Sequence, residues 1–287
     1  MAFQIGMLTD GFKTDVRSGI RKAASLGAET VQVYAVRGEM APENLNTIQR
    51  RELLTFTRDL GLHFSAICGD LGGHGFQIPE ENPDKIEKSK RIMDLALDLD
   101  CRVVTTHIGV VPEDRNHPRR DIMAKACYIL GCYGDEVGCA FALETGPESS
   151  TVLRSFLDDL GCKGMRVNMD PANLAMVIGE NPVDAVYNLA PYIVHTHAKD
   201  GKWLAPSDPE RVYHAFAEGG EEVFQVVQGF RETALGEGDV PWVPYLNALK
   251  EIGYNGALTI ERELEGDPDG RMRQAIEFLR EMVKLVG

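Results

Sequence analysis

The stretch YIVHTHAKDG, residues Tyr192 to Gly201, starts as an apolar β-strand and ends in two histidines, a lysine and an aspartate before a glycine. Strands that only build a core end in turn residues, whereas this one ends in groups that titrate and bind metals. Amphipathic stretches separate it from seven other short β-like runs: FQIGML, TVQVYA, HFSAIC, RVVTTHI, AFALET, MRVNMD and GALTIE. Eight strands that alternate with helices predict a (β/α)8 TIM barrel of the α/β class.

The spacing of these runs favours one domain that spans residues 1–287. No glycine-rich dinucleotide turn follows the first run, which argues against a doubly wound sheet, and no linker or composition shift divides the chain. One irregular segment, Gly201 to Asp239, follows the seventh strand and is far longer than an ordinary βα loop. We expect this insertion to form part of the wall or a lid over the active site; a peripheral helical insertion is the alternative.

Composition excludes several classes of partner. The formal net charge is -14, with 44 acidic against 30 basic residues, which disfavours nucleic acid. The N-terminal sequence lacks a basic segment followed by an apolar run, and no stretch is apolar enough to span a membrane. Six cysteines without paired spacing are typical of reduced thiols. These features predict a cytoplasmic protein with no membrane partner.

Four successive strand runs, the fifth to the eighth, each end in a metal-capable residue: Glu144, Asp170, His197 and Glu261. In a barrel, alternate residues point inward and active sites lie at the C-terminal strand ends. If the more apolar set of alternate residues in each strand packs against the helices, these four side chains point inward and converge in the barrel mouth. Separate surface carboxylates and an ordinary hydrogen-bonded histidine are the alternative.

Three carboxylates buried together would be unfavourable without a cation, so their convergence predicts one divalent metal ion. An oxygen-rich set with a single imidazole suits Mn, Mg or Co, and Zn is an alternative. His195 lies two residues deeper on the same face as His197, where a supporting role is expected rather than ligation.

Other polar residues at strand ends are candidates for contact with substrate. His107 ends the fourth strand run and is placed to touch substrate, with an ordinary hydrogen-bonded histidine as the alternative. Lys199 and Asp200 follow His197 directly and are candidates to bind substrate hydroxyls, or to form a solvated salt bridge. The glycines of CGDLGGHGF, residues 68–76, predict a flexible loop because no Lys-Ser/Thr pair follows them.

Longer segments resemble the sugar phosphate isomerase/epimerase family of xylose-isomerase-like TIM barrels. These segments are FALETGPE, VNMDPANLA, VHTHAKDG and LGEGDVPWVPYLNALKEIGYNGALTIERE. The resemblance implies that Glu144, Asp170, His197 and Glu261 are the metal ligands, the set that strand parity selects. In the family's ketose 3-epimerases the residues that match Glu144 and Glu261 also exchange protons with the substrate carbon, from opposite faces.

The sequence departs from those epimerases at two positions. They usually carry a His three residues after the metal Asp and an Arg six after the metal His, where this chain has Asn173 and Trp203. An indole cannot pair with a phosphate as Arg does, so we expect Trp203 to stack on a sugar ring or on a hydrophobic appendage. Both residues are predicted to bind substrate.

The expected function is that of a divalent-metal-dependent isomerase or epimerase of carbohydrate metabolism, which acts on a keto sugar or related polyol through a metal-stabilised enediolate. Three alternatives stay open: a metal-dependent dehydratase of a keto-polyol such as an inosose, a non-catalytic sugar-binding barrel, and an endonuclease IV-like DNA-repair enzyme. The resemblance also leaves a homo-oligomer open, because barrels of this family often pair.

Overall fold

Eight parallel strands close into a barrel in which the last strand pairs with the first. The computed structural model describes residues 3–219, 227–262 and 267–287. The predicted barrel of eight strand runs is confirmed. The barrel strands are β1 (Gln4–Leu8), β2 (Thr30–Tyr34), β3 (His63–Cys68), β4 (Val103–Thr106), β5 (Ala140–Glu144), β6 (Met165–Met169), β7 (Ile193–Ala198) and β10 (Ala257–Ile260).

A layer of helices surrounds the barrel, and side-chain and glycine caps fix where several of them begin and end. Asn46 and Gln49 form a reciprocal capping box at the start of α2, and Gly27 ends α1 in the left-handed region with φ 91°. The helices of this layer are α1 (Val16–Leu26), α2 (Thr47–Asp59), α3 (Asn82–Asp98), α4 (Pro118–Val137), α5 (Ser150–Leu160), α6 (Pro182–Leu189), α8 (Trp242–Glu251) and α9 (Pro268–Val286).

Strand parity divides the side chains as the sequence predicts. In β5, β6 and β10 the apolar residues at alternate positions are at most 1% exposed and belong to the hydrophobic core. These residues are Phe141, Leu143, Val167, Met169, Leu258 and Ile260. Burial of this apolar surface holds the helices on the strands. The residues at the other alternate positions point into the barrel interior, where polar side chains must form hydrogen bonds with one another.

The insertion after β7 is an ordered unit in the residues that the structure describes. Strand β8 (Asp200–Trp203) pairs antiparallel with β9 (Phe230–Thr233), and helix α7 (Pro209–Glu218) lies between them in sequence. Phe224, an aromatic residue of the segment expected to form a wall or lid, lies outside the described residues. The described part of the insertion therefore consists of an antiparallel strand pair and one helix between the two strands in sequence.

Asp200 anchors this insertion. Its Oδ2 accepts hydrogen bonds from Gly236 N at 2.8 Å and from Trp242 Nε1 at 2.9 Å, and its Oδ1 accepts one from Val240 N at 3.2 Å. With 1% exposure, the carboxylate is committed to these donors. The prediction that Asp200 binds substrate hydroxyls is therefore wrong, because its oxygens hold the insertion to the barrel.

Among the described residues, no helix combines the length and the apolar character that crossing a bilayer requires.

Candidate active site

The four side chains selected by strand parity lie together at the C-terminal end of the barrel. One ligand atom from each of Glu144, Asp170, His197 and Glu261 lies within 4.8 Å of the others. His197 Nδ1 is 3.5 Å from Glu144 Oε1, 3.6 Å from Asp170 Oδ2 and 3.2 Å from Glu261 Oε2. Three carboxylates therefore surround one imidazole nitrogen.

Asp170 provides the observation that tests whether these groups fit a metal ion. Its Oδ1 accepts hydrogen bonds from the backbone N–H groups of Ala172 and Asn173, both at 2.9 Å. Its Oδ2 is fully buried and accepts no hydrogen bond from the described residues. A buried carboxylate oxygen without a donor is unfavourable unless a cation binds it.

The spacing of the ligand atoms also fits a shared ion. Two ligand atoms bound to one ion at about 2.1 Å, at tetrahedral or octahedral angles, lie roughly 3.0 to 3.4 Å apart. The separations from His197 Nδ1 are 3.2 to 3.6 Å, which is longer than most hydrogen bonds and close to that range. The donor set, three carboxylates and one imidazole, suits a hard or borderline divalent cation.

Gln32 on β2 fixes the orientation of the His197 ring. Its Oε1 lies 3.1 Å from His197 Nε2, and because a carbonyl oxygen only accepts, Nε2 must carry the proton. Its own amide donates to Thr105 Oγ1 at 2.8 Å, which fixes the amide in turn. In the neutral ring the lone pair of His197 is then on Nδ1 and points at the carboxylates.

A polar layer lies below the four ligands inside the barrel. Asn168 donates to Glu144 Oε2 at 3.2 Å, and its Oδ1 accepts from His195 Nδ1 at 2.7 Å. Thr259 Oγ1 lies 2.9 Å from His195 Nε2, so the imidazole bridges two side chains. Burial, with a smaller effect from the charge of His197, lowers the pKa of His195 well below its usual value. His195 is therefore a neutral supporting residue in this structure, with hydrogen-bond contacts to Asn168, Thr259 and Ser65.

The ionisable groups of the site shift each other's pKa values. Burial disfavours the charge on Glu261, but Lys199 and His197 outweigh it and hold the pKa of Glu261 well below its usual value. Burial likewise opposes ionisation of Glu144, and the charges of His107 and His197 lower its pKa. For His197 burial is outweighed by Glu261 and Glu144, which raise its pKa well above the ordinary value. Both glutamates are thus ionised at neutral pH, and the cluster attracts positive charge.

Three of the predicted substrate-binding residues lie next to the two glutamates. Asn173 Nδ2 donates to Glu144 Oε1 at 3.1 Å, and His107 Nε2 lies 3.6 Å from the same oxygen. Lys199 Nζ pairs with Glu261 Oε2 at 3.2 Å and is largely buried, with a side-chain exposure of 16%. Their roles toward a substrate stay predictions, but their positions border the space in front of the cluster.

A glycine allows the close approach of Asn173 to Glu144. Gly146, two residues after Glu144, has a φ of 69°, and a Cβ at this position would come within 2.9 Å of Asn173 Cβ. Asn173 begins a short π-helix, Asn173–Ile178, three residues after Asp170. Hydrogen bonds of Thr145 Oγ1 to the Asp170 backbone, at 2.7 and 2.9 Å, join the two strand ends.

Trp203 lies at the other end of that π-helix. Its indole packs over Gly179, where a Cβ would come within 2.9 Å of Trp203 Cζ3, and its Nε1 donates to Ala205 O at 2.7 Å. The residue is 46% exposed and forms no hydrogen bond or ion pair with the four-residue cluster within the described ranges. Strand β8 leads the chain over the π-helix to this position, and the role of Trp203 toward a substrate stays a prediction.

Helix α7 of the insertion lies near the site. The ring centroid of Tyr213 is 6.5 Å from that of His107, and His214 lies edge-on to His74 at 5.1 Å. Arg119, near the start of α4, forms an ion pair with Glu210 of α7. The insertion therefore lies against the loops that follow β3 and β4, with its Tyr213 next to His107.

Three residues of the site, Gln32, Asn168 and Tyr213, were not singled out from the sequence as site residues. Gln32 stands between two valines in TVQVY, and Asn168 stands two residues before Asp170, so inward parity could have identified both. Tyr213 carried no such signal. It belongs to a helix whose position depends on tertiary packing.

Comparisons with known proteins agree with this geometry. The family model of xylose isomerase-like TIM barrels matches residues 20–282. An uncharacterised protein of Methanocaldococcus jannaschii is 26% identical over 211 residues, which make up 67% of this chain and 59% of that relative. The chain thus spans less than two thirds of this relative's length.

Solved structures cover almost the whole chain. A xylose isomerase domain protein from Planctomyces limnophilus superposes with a TM-score of 0.81 at 27% identity and covers 99% of this chain and 98% of its own. D-psicose 3-epimerase from Clostridium cellulolyticum H10 gives 0.72 at 15% identity, with 98% and 99% covered. The probable 3-DHS dehydratase AsbF from Bacillus anthracis gives 0.73 at 18% identity, with 97% and 99% covered. From the family model and the closed barrel together, the chain belongs to the xylose isomerase-like TIM barrel family.

Proposed function

We propose that this protein is a divalent-metal-dependent isomerase or epimerase that acts on a keto sugar or related polyol. The observation that carries the proposal is the cluster of three carboxylates and one imidazole, in which the buried Asp170 Oδ2 has no donor among the described residues. It lies at the C-terminal mouth of a barrel, where TIM-barrel enzymes place their chemistry. Membership of the family and the D-psicose 3-epimerase neighbour support the choice of reaction.

Glu144, Asp170, His197 and Glu261 would hold the ion, with Gln32 orienting His197. When bound, a divalent cation supplies a Lewis acid that polarises a substrate carbonyl and stabilises the negative charge of the enediolate.

The two glutamates are the proposed acid and base. One carboxylate takes the proton from the carbon next to the carbonyl, and the electron pair of the C–H bond moves into the enediolate. Return of a proton to the same carbon from the opposite face gives an epimer, and return to the former carbonyl carbon gives the isomeric carbonyl sugar. The neighbouring cations outweigh burial and keep Glu144 and Glu261 ionised at neutral pH, so each begins as a proton acceptor.

The neighbouring polar groups would hold the sugar and its charges in place. Lys199 keeps Glu261 ionised and has further N–H donors for a substrate hydroxyl. Asn173 holds Glu144 Oε1 through its amide, and His107 lies beside that oxygen. Tyr213 would cover His107 and limit the access of water to the enediolate.

A dehydratase is the second candidate, favoured by the structural likeness to the probable 3-DHS dehydratase. It needs the same proton abstraction, after which the enediolate expels a β-hydroxyl as water instead of accepting a proton. A product lighter by one water molecule identifies this outcome.

The experiment is a screen of ketoses and keto-inositols in deuterated buffer with Mn, Co or Mg, in which NMR follows exchange of carbon-bound protons. We expect exchange at the carbon next to the carbonyl, nearly abolished in Glu144→Gln and in Glu261→Gln and retained in Glu277→Gln, a change on the exposed face of α9. A double variant, Glu144→Gln with Glu261→Gln, that keeps the wild-type rate refutes the assignment. Stoichiometric metal without exchange on any substrate identifies a non-catalytic sugar-binding barrel.

A further inference from the structure

A cleft of about 430 Å³ opens at the C-terminal face of the barrel, on the side of β2 and β3. This volume is within the range of about 300 to 1,000 Å³ typical of small-molecule sites. The cleft is bordered by Tyr34, Val36, Arg37, Asp70, Leu71, Gly72, Asp84, Lys85 and Lys88. None of these residues is among the metal-capable groups or their supporting shell.

The cleft leads toward the candidate active site. Asp70, Leu71 and Lys85 also border a small crevice that reaches His107. His107 Nε2 is 3.6 Å from Glu144 Oε1. Tyr34 lies close enough to the site for the charges of Glu261 and Glu144 to contribute to its raised pKa, after the larger effects of Cys68 and burial. A substrate that reacts at the four-residue cluster can therefore extend into the cleft.

The charges of the cleft are mixed. Three cations, Arg37, Lys85 and Lys88, face two carboxylates, Asp70 and Asp84. Lys85 is already paired with the carboxylate four residues before it at 2.8 Å. The other two cations, Arg37 and Lys88, balance the two carboxylates in charge, so the cleft has no net preference for an anion such as a phosphate group.

This lining suits a neutral ring rich in hydroxyl groups. Hydroxyls donate to carboxylates and accept from Lys and Arg, so they can use both signs of charge, whereas a phosphate would be repelled by Asp70 and Asp84. Val36 and Leu71 supply apolar surface for the C–H face of such a ring. Tyr34 adds an aromatic edge and a hydroxyl.

We propose that the substrate is a keto sugar joined to a second neutral sugar or cyclitol ring, with the keto ring at the cluster and the second ring in the cleft. This inference rests on the proposed function for the position of the keto ring. It makes the natural substrate a glycosylated ketose of disaccharide size rather than a free or phosphorylated ketohexose.

The test compares fructose and fructose 6-phosphate with four glucosyl-fructoses: trehalulose, turanose, maltulose and isomaltulose. Calorimetry measures binding to the Mn-loaded full-length protein, and NMR measures proton exchange in deuterated buffer. We expect at least one disaccharide to bind about tenfold or more tightly than fructose, a difference of about 1.4 kcal/mol. The phosphate ester is expected to bind no better than fructose.

Two variants test the position of the second ring. Leu71→Trp fills the cleft and is expected to reduce the advantage of the disaccharide over fructose to within about twofold. Leu285→Trp adds the same side chain at an exposed site on α9 and is expected to keep the advantage. Thermal unfolding of both variants checks that they are folded.

The outcomes separate the two proposals. If a disaccharide binds in a way that depends on Leu71 but no sugar shows proton exchange, the cleft proposal is kept and the proposed function is overturned. Exchange on fructose without a preference for any disaccharide, or with tightest binding of fructose 6-phosphate, overturns the cleft proposal and retains the function. No measurable binding of any disaccharide also overturns the cleft proposal.

Discussion

Replacement of Gln32 by Met tests whether the His197 ring is oriented for metal binding. The change keeps the length of the side chain but removes the acceptor of the His197 Nε2–H, at 3.1 Å, and the donor to Thr105 Oγ1, at 2.8 Å. Gln32, Thr105 and His197 are at most 2% exposed, so water cannot easily replace the lost bonds. Each buried group left without a partner costs about 1 to 3 kcal/mol of stability.

The expected effect on metal binding is a loss of about 10- to 100-fold in affinity, the magnitude usual when the hydrogen-bond partner of a metal-binding histidine is removed. This equals about 1.4 to 2.8 kcal/mol at 25 °C. The assay is a titration of the metal-free protein with Mn in competition with a chelator, together with thermal unfolding of the metal-free protein. The second measurement records the loss of packing by itself.

Two control variants separate orientation from packing. Gln32→Glu keeps an acceptor for the His197 Nε2–H and is expected to bind metal at least as well as the wild type. Thr105→Val removes the second hydrogen bond of Gln32 and is expected to lower stability with a smaller loss of metal affinity. If Gln32→Met binds metal within about twofold of the wild type although it unfolds at a lower temperature, the role of Gln32 is purely structural and the orientation argument is wrong.

Further predictions concern the wall, a buried acid and the metal. Tyr213→Ala is expected to raise the apparent KM for substrate while Trp203→Ala leaves it unchanged; equal effects in steady-state kinetics would place both residues at the site. Burial raises the pKa of Glu148 to about 7, so the native state holds a proton that the unfolded state has lost, and stability falls as pH rises from about 4.5 to 7. Glu148→Gln cannot ionise and can still accept from Val111 N, so its free energy of unfolding relative to the wild type is expected to rise by up to about 3 kcal/mol between pH 5 and pH 8. Chemical denaturation across this pH range measures the difference, and a constant difference would contradict the prediction. Added Mn at about 100 times its Kd is expected to stabilise the protein by about 2.7 kcal/mol and to raise its Tm by roughly 5 to 10 °C, an effect that Asp170→Asn should lose.

The alternation of strand and helix patterns made the barrel predictable. The alternate apolar residues of each strand, such as Phe141 and Leu143 in β5, need helices to cover them on the outside of the sheet. Closure into a barrel covers eight such strands without exposed edges. The ends of successive parallel strands then meet at one rim. For that reason Glu144, Asp170 and His197 could be grouped from sequence positions alone, and the structure brings them together.

The insertion was not predictable in the same way. Its length and its position after the seventh strand indicated a wall, but the choice of Trp203 depended on counting residues from His197. The antiparallel pairing of β8 with β9 directs that indole over Gly179, while the helix that follows brings Tyr213 to His107. Such contacts depend on packing between distant segments, and no short-range pattern encodes them.

The sequence by itself determined the barrel, the rim on which the site lies and the four metal-capable side chains, because strand periodicity fixes both the face and the end to which a residue belongs. Only the tertiary structure decided how those side chains are held. The partners of His197 and Asp200 come from segments far away in the chain, Gln32 from β2 and Trp242 from α8. The polarity of a residue shows that it needs a hydrogen-bond partner when it is buried. Closure of the barrel and packing of the insertion determine which partner it has.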